Sequence, residues 1–228
     1  MITTPFRAAI FDMDGLLIDS ERAIMRAWVA GARELGIELS EDEFVQCVGR
    51  AAPESEAILV GLLGGQEAFR ATGAKARELL RAGCAEAGAD PVFPLKPGAM
   101  GLLSALRDAK VPCAVASSSR VAEIRHRLGH VGVLGFFKAI AGGDEVTHGK
   151  PDPALYLLAA TRLDVPPEAC IAFEDSENGA RAAQAAGIRV VVVPDLRHPA
   201  PEVLARSHGV LASLEEAMTH LPHWFPTL

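Results

Sequence analysis

No stretch of the 228-residue chain approaches the ~20 consecutive apolar residues that a membrane-spanning helix needs. The longest apolar runs, such as residues 188–194, are short, and that one carries Arg189. A transmembrane helix is therefore not expected. Positive charge is also in short supply. Lys and Arg number 22 against 29 Asp and Glu, a formal net charge of −7. That balance leaves no broad electrostatic footprint for nucleic acid or for an anionic membrane surface. Cysteine is sparse, and Cys47, Cys84, Cys113 and Cys170 stand singly. They form neither a CxxC zinc pair nor the dense framework of a small secreted domain, so four buried free thiols are expected. The first residues run from Met1 through Pro5 straight into an apolar strand. They lack the charged start and small-residue cleavage site of a signal peptide, and a cytoplasmic protein is expected. Internal repeats and low-complexity tracts are missing as well.

What is present is ample core-forming material: 50% of the residues are hydrophobic and 22% charged, as in globular chains and unlike disordered ones. The length exceeds a typical domain of roughly 100–150 residues without reaching two, which suggests one core domain with a smaller insertion. Residues 8–11 form a short, continuously apolar run of the kind buried on both faces of a sheet, and similar runs recur at 111–116, 169–173 and 189–193. Helical patterns lie between them at 98–110, 121–128, 153–163 and 179–186. This alternation predicts an α/β fold with a doubly wound, parallel, Rossmann-like sheet.

From residue 20 to 90 no strand is evident. Ile24, Ala27, Trp28, Gly31 and Leu35 make one helical stripe, and Phe69, Ala76, Leu79, Leu80 and Cys84 make another. Gly64 and Gly65 separate two of these helices, and Pro91, Pro94 and Pro97 break the pattern as a linker would. The expected organisation is a core of residues 1–19 and 91–228 with an all-helical cap of residues 20–90.

The strongest chemical signal is DMDGLLIDS, residues 12–20, directly after the first strand. Two carboxylates two residues apart at a strand's C-terminal end project into the crevice where open α/β sheets bind ligands. Asp12 and Asp14 can then divide nucleophilic and proton-transfer work, with Gly15 permitting the sharp turn beyond them. An ordinary Asp-Gly turn is the plain alternative. Ser117, Ser118 and Ser119 close the second core strand, where hydroxyls and N–H groups could hold a phosphoryl oxygen or merely cap a helix. HGKPDP places Lys150 in a loop stiffened by Pro151 and Pro153. It is no Walker A loop, since Asp144 and Pro151 stand where that motif needs Gly and Ser or Thr. Finally, Glu174 and Asp175 end another strand. Hard oxygen donors without His or Cys suit Mg²⁺.

DMDGLLIDSE, ASSS, HGKPDP and FEDSENG, in that order over almost the whole chain, resemble the four motifs of the haloacid dehalogenase superfamily phosphatases that carry a helical cap after the first strand. The resemblance implies that Asp12 attacks phosphorus and that Asp14 serves as general acid and then base. Ser117, with Ser118 beside it, and Lys150 would hold the phosphoryl oxygens. Mg²⁺ would be bound by Asp12, Asp14 through its carbonyl, Glu174 and Asp175. The implied partner is a small phosphorylated metabolite, a sugar or nucleoside phosphate, handled by a monomer or weak homodimer.

Three rival readings exist. The superfamily's dehalogenases lack an Asp at the position of Asp14, because a departing halide needs no proton. Mutases resembling β-phosphoglucomutase share all four motifs but carry a His early in the cap, where Ile24 stands here. A non-catalytic module that binds a phosphorylated metabolite would normally have lost a catalytic group, and none is lost. Among weaker features, Arg50 is the candidate cap residue facing the substrate. Arg120, Arg125 and Arg127 are read as a solvated face, His126 and His130 as surface residues flanking a helix end at Gly129, and Trp28 as cap core. The apolar tail from Pro222 to Leu228 is expected to pack on the core or on a partner.

Overall fold

A computed structural model describes residues 6–50, 52–82 and 93–226. Six parallel strands form one sheet: β1 (Ala8–Phe11), β2 (Cys113–Ser117), β3 (Phe137–Gly142), β4 (Cys170–Glu174), β5 (Arg189–Val192) and β6 (Gly209–Val210), in the order β3-β2-β1-β4-β5-β6. The helices are α1 (Ser20–Glu34), α2 (Glu41–Val45), α3 (Ala52–Leu63), α4 (Gln66–Ala82), α5 (Ala99–Asp108), α6 (Val121–His130), α7 (Ala154–Leu163), α8 (Glu177–Ala185), α9 (Pro201–Leu204) and α10 (Leu214–Trp224). The direction of winding reverses at β1, the point at which open α/β sheets place their ligand crevice.

The strands read as unbroken apolar runs because alternate residues enter two different cores. Ala9, Phe11, Val115, Ile171, Phe173 and Val191 face one layer, which includes α5, α6 and α10. Ala8, Ile10, Ala114, Ala116, Ala172 and Val190 face the other, against α7 and α8. Phe11 and Phe173, paired in register across β1 and β4, stack with centroids 4.9 Å apart. Trp224 and Phe225 of the C-terminal tail belong to the first layer. Trp224 packs edge-on to Phe173, and its carbonyl accepts from the Phe6 N–H at 3.0 Å.

Helices α1–α4 are inserted between β1 and β2. Their small core gathers Met25, Phe44, Leu59 and Leu63, with Trp28 lodged between Phe44 and Phe69. α1 and α4 approach closely because Gly31 faces the backbone of Thr72 and Ala76, where a Cβ would lie 3.2 Å from both. Gly64 and Gly65 separate α3 from α4.

Several local expectations need correction. β3 and β6 had no place among the expected strands; the outer half of β3 is only partly buried and carries Lys138, which breaks the apolar run. Leu35, assigned to the α1 stripe, is 45% exposed because it lies beyond the helix as its C-cap. α6 continues through Gly129 to His130. Cys47, Cys113 and Cys170 are buried free thiols, while Cys84 and Pro91 lie outside the described residues. Among the described residues, no helix is long and apolar enough to cross a membrane.

Candidate active site

The C-terminal ends of β2, β1 and β4 lie side by side, so the residues that follow them share one edge of the sheet. Asp12 leaves β1 with its N–H still bonded to the Phe173 carbonyl at 3.0 Å. The chain then turns at Gly15, whose φ of +85° suits glycine. A side chain there would also collide with Asp175, since a Cβ would lie 2.2 Å from Oδ2. The turn therefore lets the first and last motifs meet.

Lys150 enters from the loop after β3, with its side chain 6% exposed. Its ammonium donates to Asp12 Oδ1 at 2.5 Å and also to Glu174 Oε1. Tyr156 of α7 donates to the same Glu174 oxygen at 2.7 Å, and the Ser176 hydroxyl donates to Oε2 at 3.1 Å. Ser176 also caps α8, accepting from the Gly179 N–H at 3.1 Å. Ser117 is buried, and its oxygen accepts from the Ser119 N–H at 3.1 Å, which leaves its own proton to donate elsewhere. Ser118 is exposed at the rim. Asp14 Oδ1 accepts from Ser20 and from Arg127, each at 2.7 Å, and Oδ2 accepts from Ser119 at 2.9 Å.

These groups border a cleft of about 610 Å³. Asp12, Asp14, Ser117, Ser118, Lys150 and Asp175 line its core side, and Gly49, Arg50 and Pro53 of the helical insertion line the other. Glu174 sits behind, fully buried. Arg50 is not aimed freely into the cleft: its guanidinium donates to the Gln46 carbonyl at 2.7 Å and pairs with Glu54.

The site is over-supplied with negative charge. Burial pushes the Asp12 carboxyl up to about 7 against the pull of Lys150, and Glu174 and Asp14 push the same way. Burial, reinforced by Asp12, Glu21 and Glu174, raises Asp175 well above the usual carboxylate range. Glu21, at the start of α1, is raised to about 8 by burial and by Asp195, Asp12 and Asp14. Burial disfavours the Lys150 ammonium, but Asp12 and Glu174 outweigh it, so the proton is held more tightly than on an ordinary lysine. One ammonium cannot balance this cluster. Oxygens of Asp12, Glu174 and Asp175 lie within 4.8 Å of one another, and Asp175 Oδ1 is buried without a hydrogen-bond partner among the described residues. An all-oxygen donor set with an unsatisfied carboxylate fits a hard divalent cation.

The description "haloacid dehalogenase-like hydrolase" matches residues 6–187. The chain belongs to this family. Similar curated proteins include a validoxylamine A 7'-phosphate phosphatase from Streptomyces hygroscopicus subsp. limoneus, 33% identical over 97% of this chain and 100% of that one. Hexitol phosphatase B of Escherichia coli K12 is 32% identical over 91% of this hydrolase and 90% of its own length. Among solved structures, a HAD family hydrolase from Deinococcus radiodurans R1 with bound phosphate and sodium superposes with a TM-score of 0.79 at 28% identity, covering 98% of both chains.

Sequence reasoning overlooked several members of this hydrolase's cluster. Tyr156, the chain's one tyrosine, lies six residues beyond Lys150 in the helix that follows the HGKPDP loop, a spacing that could have flagged it. Ser20 and Glu21 extend the DMDG motif into α1. Arg127 corrects an expectation outright. It is not part of a solvated face with Arg120 and Arg125, for its side chain is 18% exposed and paired to Asp14.

Proposed function

We propose that this protein is a Mg²⁺-dependent phosphomonoesterase that hydrolyses a sugar or polyol phosphate through an aspartyl-phosphate intermediate. The observation that carries the proposal is the pairing of Asp12 with Lys150 at the sheet edge, with Asp14 held two residues beyond it on the Gly15 turn. Asp12 Oδ would form the bond to phosphorus as the ester P–O bond breaks, and the departing alkoxide would take its proton from Asp14. Water would then attack phosphorus, give its proton to Asp14 and release Asp12. Lys150 and the Ser117 hydroxyl would hold the non-bridging oxygens, where stabilisation of charge and position governs the rate. Asp12, Glu174, Asp175 and the Asp14 carbonyl would hold Mg²⁺, whose contribution when bound is to neutralise charge on the phosphoryl oxygens.

Carbohydrate-like substrates are supported by the activities for which the Streptomyces and Escherichia relatives are named. Hydrolysis is preferred to phosphoryl return because Ile24, at the position of the mutase histidine, packs among apolar residues and offers no proton donor. The test is a panel of sugar, polyol, nucleoside and aryl phosphates assayed with Mg²⁺ and with EDTA. Release of inorganic phosphate from at least one polyol or sugar ester, abolished by EDTA, is expected. Isomerised ester without phosphate release would identify a mutase. Binding without turnover would identify a non-catalytic module.

A further inference from the structure

We infer that Arg127 is a positioning residue for Asp14, and that it ties the placement of this proton-transfer group to the seating of the helical insertion on the core. The inference rests on the phosphatase reading. Asp14 is held by three donors from three parts of the chain: Ser20 opens α1 of the insertion, Ser119 follows β2, and Arg127 projects from α6. Only the Arg127 donor is itself charged, so it adds an ion pair to the hydrogen bond that each serine also makes with the carboxylate. The Asp14 side chain is 27% exposed, so water can solvate it without Arg127. Fixing a long arginine side chain against such a group costs conformational entropy that solvation alone would not require. The guanidinium is fixed from a second side. Its carbon lies 5.5 Å from the centroid of Phe93, a buried residue in the segment through which the chain returns from α4 to the core. One cation thus touches the proton-transfer group and Phe93 of the first core layer, and with Ile24 of α1 and Arg77 of α4 it lines a cleft where the insertion meets the core. A proton donor must come within about 2.6–3.2 Å of its target, and a misplacement near 1 Å can cost about a hundredfold in rate.

The experiment compares wild type, Arg127→Met, Arg127→Lys and Phe93→Leu on phosphate esters ordered from alkyl to activated aryl. The alkyl leaving group needs a proton during bond cleavage, and the activated aryl leaving group does not. In Arg127→Met, kcat/KM should fall about 10–100-fold for alkyl esters and by less than about threefold for the activated aryl ester. Arg127→Lys should recover part of the alkyl rate, and Phe93→Leu should shift the same ratio in the same direction. Equal losses across the series, or no loss, would overturn the inference. A crystal structure of Arg127→Met supplies a readout independent of turnover: the Asp14 carboxylate should leave Ser20 or Ser119, and a carboxylate in its original place overturns the inference. If wild type cleaves no ester, the phosphatase reading fails, while that structure still decides whether Arg127 places Asp14.

Discussion

The Tyr156 phenol and the Lys150 ammonium donate to the same oxygen of Glu174. Two donors from one continuous segment, the loop after β3 and the α7 helix it leads into, fix the buried carboxylate. Burial and the neighbouring Glu174 and Asp12 carboxylates raise the phenol far above its usual ionisation range, so Tyr156 acts as a permanent donor. Tyr156→Phe keeps the ring and removes that donor while leaving Lys150 in place. Stability measured by urea unfolding should fall by about 1–2 kcal/mol. Turnover should fall less than tenfold, since the phenol touches Glu174 and not the reacting groups.

Asp12→Asn should separate catalysis from stability. The amide cannot act as the nucleophile, so phosphatase activity should drop by at least about a thousandfold. The fold should not suffer. Asp12 is raised by burial and by repulsion from Glu174 and Asp14, and Lys150 keeps Glu174 as a partner. The thermal midpoint in EDTA is expected to equal or exceed that of wild type. Adding Mg²⁺ should then raise the midpoint of wild type more than that of the variant, by mass action on a site that has lost one carboxylate. Equal Mg²⁺ shifts in both proteins would remove Asp12 from the cation site.

A second buried carboxylate joins insertion, linker and core. Asp195, just beyond β5, has a side chain only 2% exposed and pairs with Lys96 at 2.6 Å and with Arg22 of α1 at 2.5 Å. Asp19 is the second partner of both cations, at 3.0 Å from Arg22 and 3.9 Å from Lys96, so removing Asp195 leaves them sharing one carboxylate that is more exposed. Arg22 is 37% exposed and keeps Asp19 at 3.0 Å, so the loss falls mainly on Lys96, which is 18% exposed and farther from Asp19. Asp195→Ala should destabilise the protein by about 1–3 kcal/mol, the loss of a hydrogen-bonded charged acceptor with Asp19 still in place. Partial proteolysis should show the insertion becoming accessible before the sheet.

Much of this arrangement was legible where a local pattern carries it. Ala8–Phe11 reads as a strand because every residue enters one core or the other. Asp12, Ser117, Glu174 and Asp175 could be named because each closes such a run. Gly15 could be named because the Asp-Gly step demands a turn. What escaped depends on reach across the chain. Arg127 lies 113 residues from Asp14 and carries no local sign that its side chain runs past Phe93 to the cleft. Tyr156 sits in an apolar helix that hides the role of its hydroxyl, and Asp195 binds partners brought together only by the closing of insertion onto core.

One source of acid sensitivity lies at the far end of β3. Arg162 donates to both oxygens of Glu145, and the Gly142 N–H donates to the same carboxylate. These bonds lower Glu145 from its ordinary 4.5 to about 2. A group depressed on folding contributes stability above its unfolded value and loses it as pH falls through the folded value. The contribution is thus complete above pH 4.5 and disappears towards pH 2. Solvent reaches both side chains, which limits it to about 1 kcal/mol. Urea unfolding of wild type and Glu145→Gln should differ by that amount at pH 6 and converge towards pH 2.

Arg50 decides whether the insertion reads the substrate. It borders the cleft opposite Asp12 and Lys150, yet its guanidinium is engaged by the Gln46 carbonyl and by Glu54. An arginine with two such partners on its own segment can swing to a polyol hydroxyl only by giving up the pair with Glu54, an exposed pair worth about 0.2–1 kcal/mol. That cost is small beside a hydrogen bond between a charged group and a substrate. Arg50→Ala should therefore raise KM or lower kcat for the preferred polyol or sugar ester about tenfold, and change turnover of an aryl phosphate much less. Glu54→Gln should have the opposite sign, because it frees the guanidinium. Equal losses on both esters in Arg50→Ala would move Arg50 from leaving-group recognition to phosphoryl binding or closure of the insertion, and no loss on either would leave it as a surface pair with Glu54.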